Sequence, residues 1–174
     1  MHPIDTSVRL VAKSESVLDT AKNLLIPFLL ITIVVQYIGG VVFGLKPFSD
    51  SLSFLGKTTL PTITLYIMSA LLFPLALSEV FRYFSLNHSF QRSFYLVCYA
   101  FIPFHVATIA CGLLPKLSSM IGMFALYSYY ILWQMLKVEY PDLNKTKQRN
   151  VTIISIVSLS LLHWAIVGFN NLIF

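Results

Sequence analysis

Long stretches without a single Asp, Glu, Lys or Arg dominate this chain. Five such stretches separate its charged residues. Roughly 20 apolar residues, at a rise of about 1.5 Å per residue, cross a hydrocarbon core about 30 Å thick. Because lipid cannot satisfy backbone hydrogen bonds, we expect each stretch to be a helix. The predicted membrane helices are about 23–45, 58–84, 93–115, 117–137 and 150–174.

The composition excludes several classes of protein. Of the 174 residues, 11% are charged and 57% are hydrophobic. A soluble domain usually has about 25% charged residues, so this chain has too few to cover a surface that faces water. A soluble enzyme, a disordered tail and a disulfide-stapled secreted module are therefore excluded. The predicted fold is all-α: a polytopic membrane protein whose domain, residues 23–174, is a bundle of five transmembrane helices.

The first 22 residues are predicted to form a separate cytoplasmic segment. Between Val8 and Leu25, apolar residues recur at spacings typical of one helix face, with charged residues between them. This pattern favours a short amphipathic helix in the membrane interface, and the alternative is a charged N-terminus without lipid contact. A signal peptide is not expected, because no apolar core follows a short basic start.

The distribution of Lys and Arg predicts the orientation. With the N-terminus in the cytoplasm, nine of the twelve Lys and Arg residues lie on the cytoplasmic side, which the positive-inside rule favours. Phe174 is then outside. The positive-inside topology and attraction to anionic lipid headgroups explain the net charge of +5. The charge is therefore no evidence for a nucleic-acid partner. The cytoplasmic residues are Arg9, Lys13, Lys22, Arg82, Arg92, Lys137, Lys145, Lys147 and Arg149.

Polar residues within the predicted helices are candidates for a functional site, because an ionisable group in a bilayer is costly. Glu79 and Arg82 lie near the cytoplasmic end of the second helix and share a face at a spacing of three. A structural ion pair is the simpler interpretation. Tyr99 and Gln134 lie at a depth similar to that of Glu79, so a polar cluster of these side chains is the functional alternative.

His105 and His163 are predicted to lie at one level near the middle of the membrane. Two histidines at one depth could bind a metal or relay a proton. No Cys, Asp or Glu is expected at that level, so a metal site is the weaker hypothesis. The simpler interpretation is an interhelical hydrogen bond to a carbonyl or to a hydroxyl such as that of Thr108 or Ser158.

Motifs of catalytic chemistry are missing from the sequence. It contains no zinc-binding His-Glu-x-x-His, no nucleophile elbow and no glycine-rich phosphate loop. We therefore expect neither enzymatic activity nor a cofactor. Pro74 and Pro103 fall near the middle of two predicted helices, where they are expected to cause kinks.

The third predicted helix resembles a known family. Cys98-Tyr99-Ala100-Phe101-Ile102-Pro103 is similar to the Tyr-x-x-hydrophobic-Pro signature of the Ypt-interacting protein (YIP) domain family, which identifies Tyr99 and Pro103 as the family signature. Residues 107–115 and 122–132 resemble the third and fourth spans of that family, and residues 23–27 resemble the opening of its prokaryotic members. The resemblance implies a five-span protein of a prokaryotic cytoplasmic membrane.

Two functions follow as expectations from the resemblance and the residues. The first is a non-enzymatic scaffold or accessory protein that binds membrane partners, or itself, in trafficking or export. Eukaryotic members bind Rab-type GTPases, but this sequence has neither their long N-terminal region nor their Asp-Leu-Tyr-Gly-Pro motif, so GTPase binding is not expected. The second is a small transporter or channel for a proton, a metal ion or a small solute, which would use Glu79, His105 and His163.

Overall fold

The computed structural model of the protein describes residues 16–42, 51–87, 89–113 and 120–173, and within these ranges it is helical without any β-strand. The predicted all-α fold is confirmed. The elements are α1 (Val17–Thr20), a π-helical turn (Ala21–Leu25), α2 (Ile26–Val42), α3 (Ser51–Tyr83), α4 (Phe90–Ala100), α5 (Ile102–Leu113), α6 (Met120–Glu139) and α7 (Lys145–Ile173).

Three of the described helical stretches are long and apolar enough to cross a membrane: Val17–Gly39, Leu60–Tyr83 and Lys145–Ile173. A fourth is obtained if α4 and α5, which form a bent pair, are counted as one span. The 20 residues of α6 could extend over about 30 Å, but this helix is not among the described stretches that are both long and apolar enough. The five predicted spans therefore stay a prediction.

The first described helix begins earlier than the sequence pattern predicted. The Ser16 hydroxyl accepts a hydrogen bond from the backbone N–H of Asp19 at 3.1 Å, which is the usual role of an N-cap serine. From there α1 continues through the π-helical turn into α2 without a break. Residues 17–22 are thus the start of the first apolar helix. The rest of the predicted amphipathic segment, residues 1–15, lies outside the described residues.

A sharp bend divides the third predicted helix into α4 and α5, at an angle of 45°. Phe101 lies at the break, with φ −92° and ψ 6°. Pro103 has no N–H to donate to the carbonyl of Tyr99, and its ring crowds that carbonyl, so the helix cannot continue straight. The kink predicted at Pro103 is confirmed. In α3 the helix continues through Pro74.

The central helix of the bundle is α3, which packs against α2, α4 and α7. On one side of it α5 packs between α2 and α6, and α6 also contacts α4 and α7. An apolar core of buried side chains from α3, α4, α6 and α7 lies between these helices, and its side chains pack at the density of a protein interior. Its fully buried side chains include Leu77, Phe81, Leu96, Leu132 and Leu136.

Large apolar side chains also cover the outside of the bundle. Leu161 and Trp164 of α7, for example, are 67% and 74% exposed. Such residues are unfavourable in water and fit a surface that contacts lipid. The apolar runs of the sequence thus serve two purposes, because one face of each helix packs inside the bundle and the other meets the bilayer.

Three polar side-chain hydrogen bonds join different helices in addition to those of the histidine cavity. Hydrogen bonds of this kind help to hold membrane helices together, because in lipid no hydrophobic effect drives helices to associate. They restrict which helix faces can meet. The bonds are Thr62 Oγ1 to Gln36 Oε1 (3.0 Å), Tyr129 Oη to Ser160 Oγ (2.9 Å) and Asn170 Nδ2 to the Pro61 carbonyl (3.3 Å).

Candidate functional site

Seven of the nine Lys and Arg residues predicted on the cytoplasmic side have described side chains, whereas Lys46, Lys57 and Lys116, predicted on the opposite side, lie outside the described side chains. The seven lie at the beginning of the first helical stretch, at the end of α3, at the start of α4 and around the connection between α6 and α7. Consecutive antiparallel helices bring these points together. The residues are Lys22, Arg82, Arg92, Lys137, Lys145, Lys147 and Arg149.

Glu79 and Arg82 form an ion pair one turn apart on α3, between Oε2 and Nη2. The side chains are 59% and 65% exposed, so the pair lies on the outer surface of the bundle. An exposed pair of this kind contributes little to stability, about 0–1 kcal/mol. Its position next to the end of α3 lets Arg82 extend toward the headgroups while its stem stays in apolar surroundings.

Tyr99 and Gln134, the other members of the predicted polar cluster, are half-buried. The ring of Tyr99 packs against that of Tyr95, with centroids 4.6 Å apart. Glu79, Tyr99 and Gln134 are not among the described residues that line the interior cavity containing the two histidines. The structure therefore separates the two candidate groups that the sequence placed at different depths.

His105 and His163 line a common cavity of the bundle, formed by side chains of the π-helical turn and of α3, α4, α5, α6 and α7. Its volume is about 90 Å³, far below the roughly 300–1,000 Å³ of typical small-molecule sites. Besides the histidines, its polar lining includes Tyr66, Cys98 and Tyr129, and most of the remaining wall is apolar. The two histidines, predicted from the sequence to lie at one depth, thus line the same cavity.

A chain of hydrogen bonds fixes the orientation of His105. The Thr32 hydroxyl donates to the carbonyl of Phe28 at 2.7 Å. Since its single proton is used there, Thr32 accepts from the Tyr66 hydroxyl at 3.0 Å. Tyr66 in turn accepts from Nδ1 of His105 at 3.1 Å, which places a proton on Nδ1. In neutral His105, Nε2 then carries the lone pair.

Aromatic rings surround both histidines. The rings of Phe28 and Tyr66 stack on His105 at centroid distances of 5.6 Å and 5.0 Å. Phe104 contacts both histidines, at 6.1 Å from His105 and 5.9 Å from His163. Among the described residues, no group of three His, Cys, Asp or Glu side chains is arranged to hold a metal ion.

The partner of His105 differs from those suggested by the sequence. Thr108, one of the proposed hydroxyls, donates instead to the Phe104 carbonyl one turn back at 2.9 Å. Tyr66 was missed because it belongs to α3, and nothing local in the sequence indicates that α3 faces α5 at this position. A tyrosine near the middle of an apolar run was the only available signal, since a buried phenol requires a partner.

Sequence reasoning also missed an ion pair between Arg92 at the start of α4 and Glu139 at the end of α6. Only 2% of the Glu139 side chain is exposed, so this carboxylate depends on Arg92. Arg92 also lies over the ring of Tyr140, 5.6 Å from its centroid, and the Tyr140 hydroxyl donates to the carbonyl of Asn87 at 2.6 Å. Burial raises the pKa of Tyr140, while the charge of Arg92 acts in the opposite direction.

Comparison with models of known protein families gives a match over most of the chain. The family model described as "Yip1 domain" matches residues 1–167, which is most of the chain. No curated protein and no solved structure matches the chain.

Proposed function

Because the chain belongs to the Yip1 domain family, we propose that it is a non-enzymatic scaffold or accessory protein that binds other membrane proteins. It is a membrane protein built from apolar helices, as its family indicates. The partners would be membrane proteins of trafficking or export, or a second copy of the chain. Binding to a GTPase is not part of this proposal.

The observation that carries the proposal is that polar side chains inside the bundle are hydrogen-bonded to one another. Tyr66, Thr32 and His105 bond to one another, and Tyr129 bonds to Ser160. These groups therefore stabilise the packing of helices. The cavity beside them has a volume of about 90 Å³, too small for most organic substrates. A bundle of this kind offers its outer surface, rather than its interior, for recognition.

The proposed topology has five spans, with the N-terminus in the cytoplasm and Phe174 outside, in the inner membrane of a prokaryote. α4 with α5 would form the third span, and α6 would form the fourth. The distribution of Lys and Arg in the full sequence supports this arrangement, since nine of the twelve lie on the side that the positive-inside rule assigns to the cytoplasm.

Photocrosslinking in native membranes tests the scaffold proposal. A photoreactive residue replaces Leu71 on α3 or Leu161 on α7, which are both exposed on the outside of the bundle. A scaffold is expected to give discrete protein crosslinks from at least one of these faces, and an excess of unlabelled protein should compete with them. Crosslinks to lipid alone from both faces, with the chain present as a monomer, would contradict the proposal.

The shared cavity of the two histidines favours one second candidate, a proton or small-ion transporter. Nε2 of His105 is the group that could exchange a proton there, with His163 on the same cavity wall. Dye-loaded proteoliposomes test this candidate. Flux that exceeds that of empty vesicles and disappears in both His105→Phe and His163→Phe would support transport, while Glu79→Gln, which lies outside the cavity, should retain it. Absence of flux in the unaltered protein would leave the scaffold proposal as the better one.

A further inference from the structure

A second cavity lies at the charged end of the bundle, between the end of α6 and the beginning of α7. Its volume is about 420 Å³, which is within the range of roughly 300–1,000 Å³ of small-molecule sites. Three cationic side chains line it: Lys137 from α6, and Lys145 and Arg149 from α7. Gln148 and Thr152 add polar groups to the same wall. The cavity is therefore larger than the interior one and strongly basic.

No carboxylate lines this cavity among the described residues. Among the described residues, ion pairs join Arg82 to Glu79 and Arg92 to Glu139, and none joins a carboxylate to a cavity cation. Lys137 lies over the ring of Trp133, with Nζ 3.7 Å from the centroid, and this contact holds its charge at the cavity. Three positive charges converge where an anion would neutralise them.

We propose that this cavity binds the phosphate headgroup of an anionic phospholipid. Basic pockets between transmembrane helices are suited to such headgroups, because each Lys or Arg near a membrane surface contributes about 1 kcal/mol toward binding anionic lipid. Phosphate oxygens accept hydrogen bonds from Lys, Arg and Gln side chains alike. The site is independent of the protein partners proposed above.

The surface below the cavity fits an acyl chain, which favours a lipid over free phosphate. Tyr127, Tyr130 and Trp133 form an exposed aromatic ladder on α6, with neighbouring ring centroids 6.0 Å apart. Tyr127 lies twelve residues before the end of α6, or roughly 18 Å along the helix, at the depth of the acyl chains. Ile153 on α7 lines the cavity and is also exposed.

Quenching of Trp133 fluorescence measures occupancy of the site. Trp164, the other tryptophan of the chain, is replaced by Phe, so that the signal reports Trp133 alone. The protein is reconstituted in phosphatidylcholine vesicles to which a lipid with brominated chains is added. In one series this bromolipid is phosphatidylglycerol, and in the other it is phosphatidylcholine. The dependence of quenching on the bromolipid fraction gives the affinity of each lipid relative to phosphatidylcholine.

Two double variants remove the same charge from different places. Lys145→Gln/Arg149→Gln removes two of the three cavity cations, while Lys22→Gln/Lys147→Gln neutralises two cations at the same end of the bundle that do not line it. We expect the preference for phosphatidylglycerol to fall by about tenfold or more in the first variant and to persist in the second. The charge-conserving Lys145→Arg/Arg149→Lys should retain it, which separates loss of charge from misfolding.

Four results would overturn the proposal. Equal losses in the two neutralising variants would indicate attraction to the general surface potential instead of a site. Loss in the charge-conserving variant as well would indicate a structural defect at this end of α7. Displacement of phosphatidylglycerol by millimolar inorganic phosphate, compared with chloride at equal ionic strength, would assign the cavity to a soluble phosphate. Retained preference in Lys145→Gln/Arg149→Gln likewise contradicts a headgroup site.

Discussion

Nδ1 of His105 on α5 lies 3.1 Å from the hydroxyl oxygen of Tyr66 on α3, 39 positions earlier in the chain. This contact joins the broken helix to the central helix of the bundle. Through Tyr66 it also reaches Thr32 on α2, so three helices are tied by two bonds. The hydroxyl of Tyr66, which lines the interior cavity, therefore joins α2, α3 and α5.

Tyr66→Phe is expected to destabilise the protein, because it removes both of these bonds and leaves Nδ1 of His105 unpaired. Interhelical hydrogen bonds in membrane proteins contribute about 0.6 kcal/mol on average, so a loss of about 1 kcal/mol is expected. Unfolding in detergent, followed by circular dichroism, measures it. The matched control is Tyr83→Phe, since Tyr83 is 79% exposed. Equal effects of the two substitutions would contradict the structural role of Tyr66.

The two glutamate ion pairs should differ in their contribution to stability. Glu139→Gln removes a nearly buried carboxylate and leaves Arg92 without its partner, which is expected to cost about 2–4 kcal/mol. Glu79→Gln removes an exposed carboxylate and is expected to cost about 0–1 kcal/mol. The free energy of unfolding of both variants, measured in one detergent, checks this. Comparable losses would show that burial does not distinguish the pairs.

Tyr140→Phe tests the contact between the α6–α7 connection and Asn87. Below pH 10 it should cost about 1 kcal/mol, the usual contribution of a hydrogen bond. Because burial raises the pKa of Tyr140 above that of the unfolded chain, the folded state is penalised once the unfolded phenol ionises. The stability advantage of the unaltered protein over Tyr140→Phe should therefore shrink as the pH rises above about 10. An advantage that stays constant with pH would contradict this.

Reporter fusions test the five-span topology. Alkaline phosphatase, which is active only outside the cytoplasm, should be active when fused after Phe174. A fluorescent protein that matures in the cytoplasm should be fluorescent when fused after Asn144, because the connection between α6 and α7 belongs to the basic end of the bundle. A fluorescent fusion after Phe174 would indicate an even number of spans or the opposite orientation.

The apolar runs and the kink could be predicted because they depend on local chemistry. A helix in lipid must satisfy its own backbone, so a long uncharged run is enough to indicate it. Pro103 disturbs the helix through its own ring and missing N–H, whatever surrounds it. The start of the first helix was placed too late because a charged residue, Lys22, was taken as its boundary, although the Ser16 cap lies before it.

The sequence by itself thus determined that this is a helical membrane protein, where its charges gather along the chain, and that Pro103 bends a helix. Only the tertiary structure decided that Tyr66 bonds to His105, that Arg92 pairs with Glu139, and that Lys137 meets Arg149 around one cavity. The physical reason is that helix formation and charge placement are properties of neighbouring residues. Side-chain partners instead depend on which helix faces meet, and helices of similar apolar composition give little local sign of that.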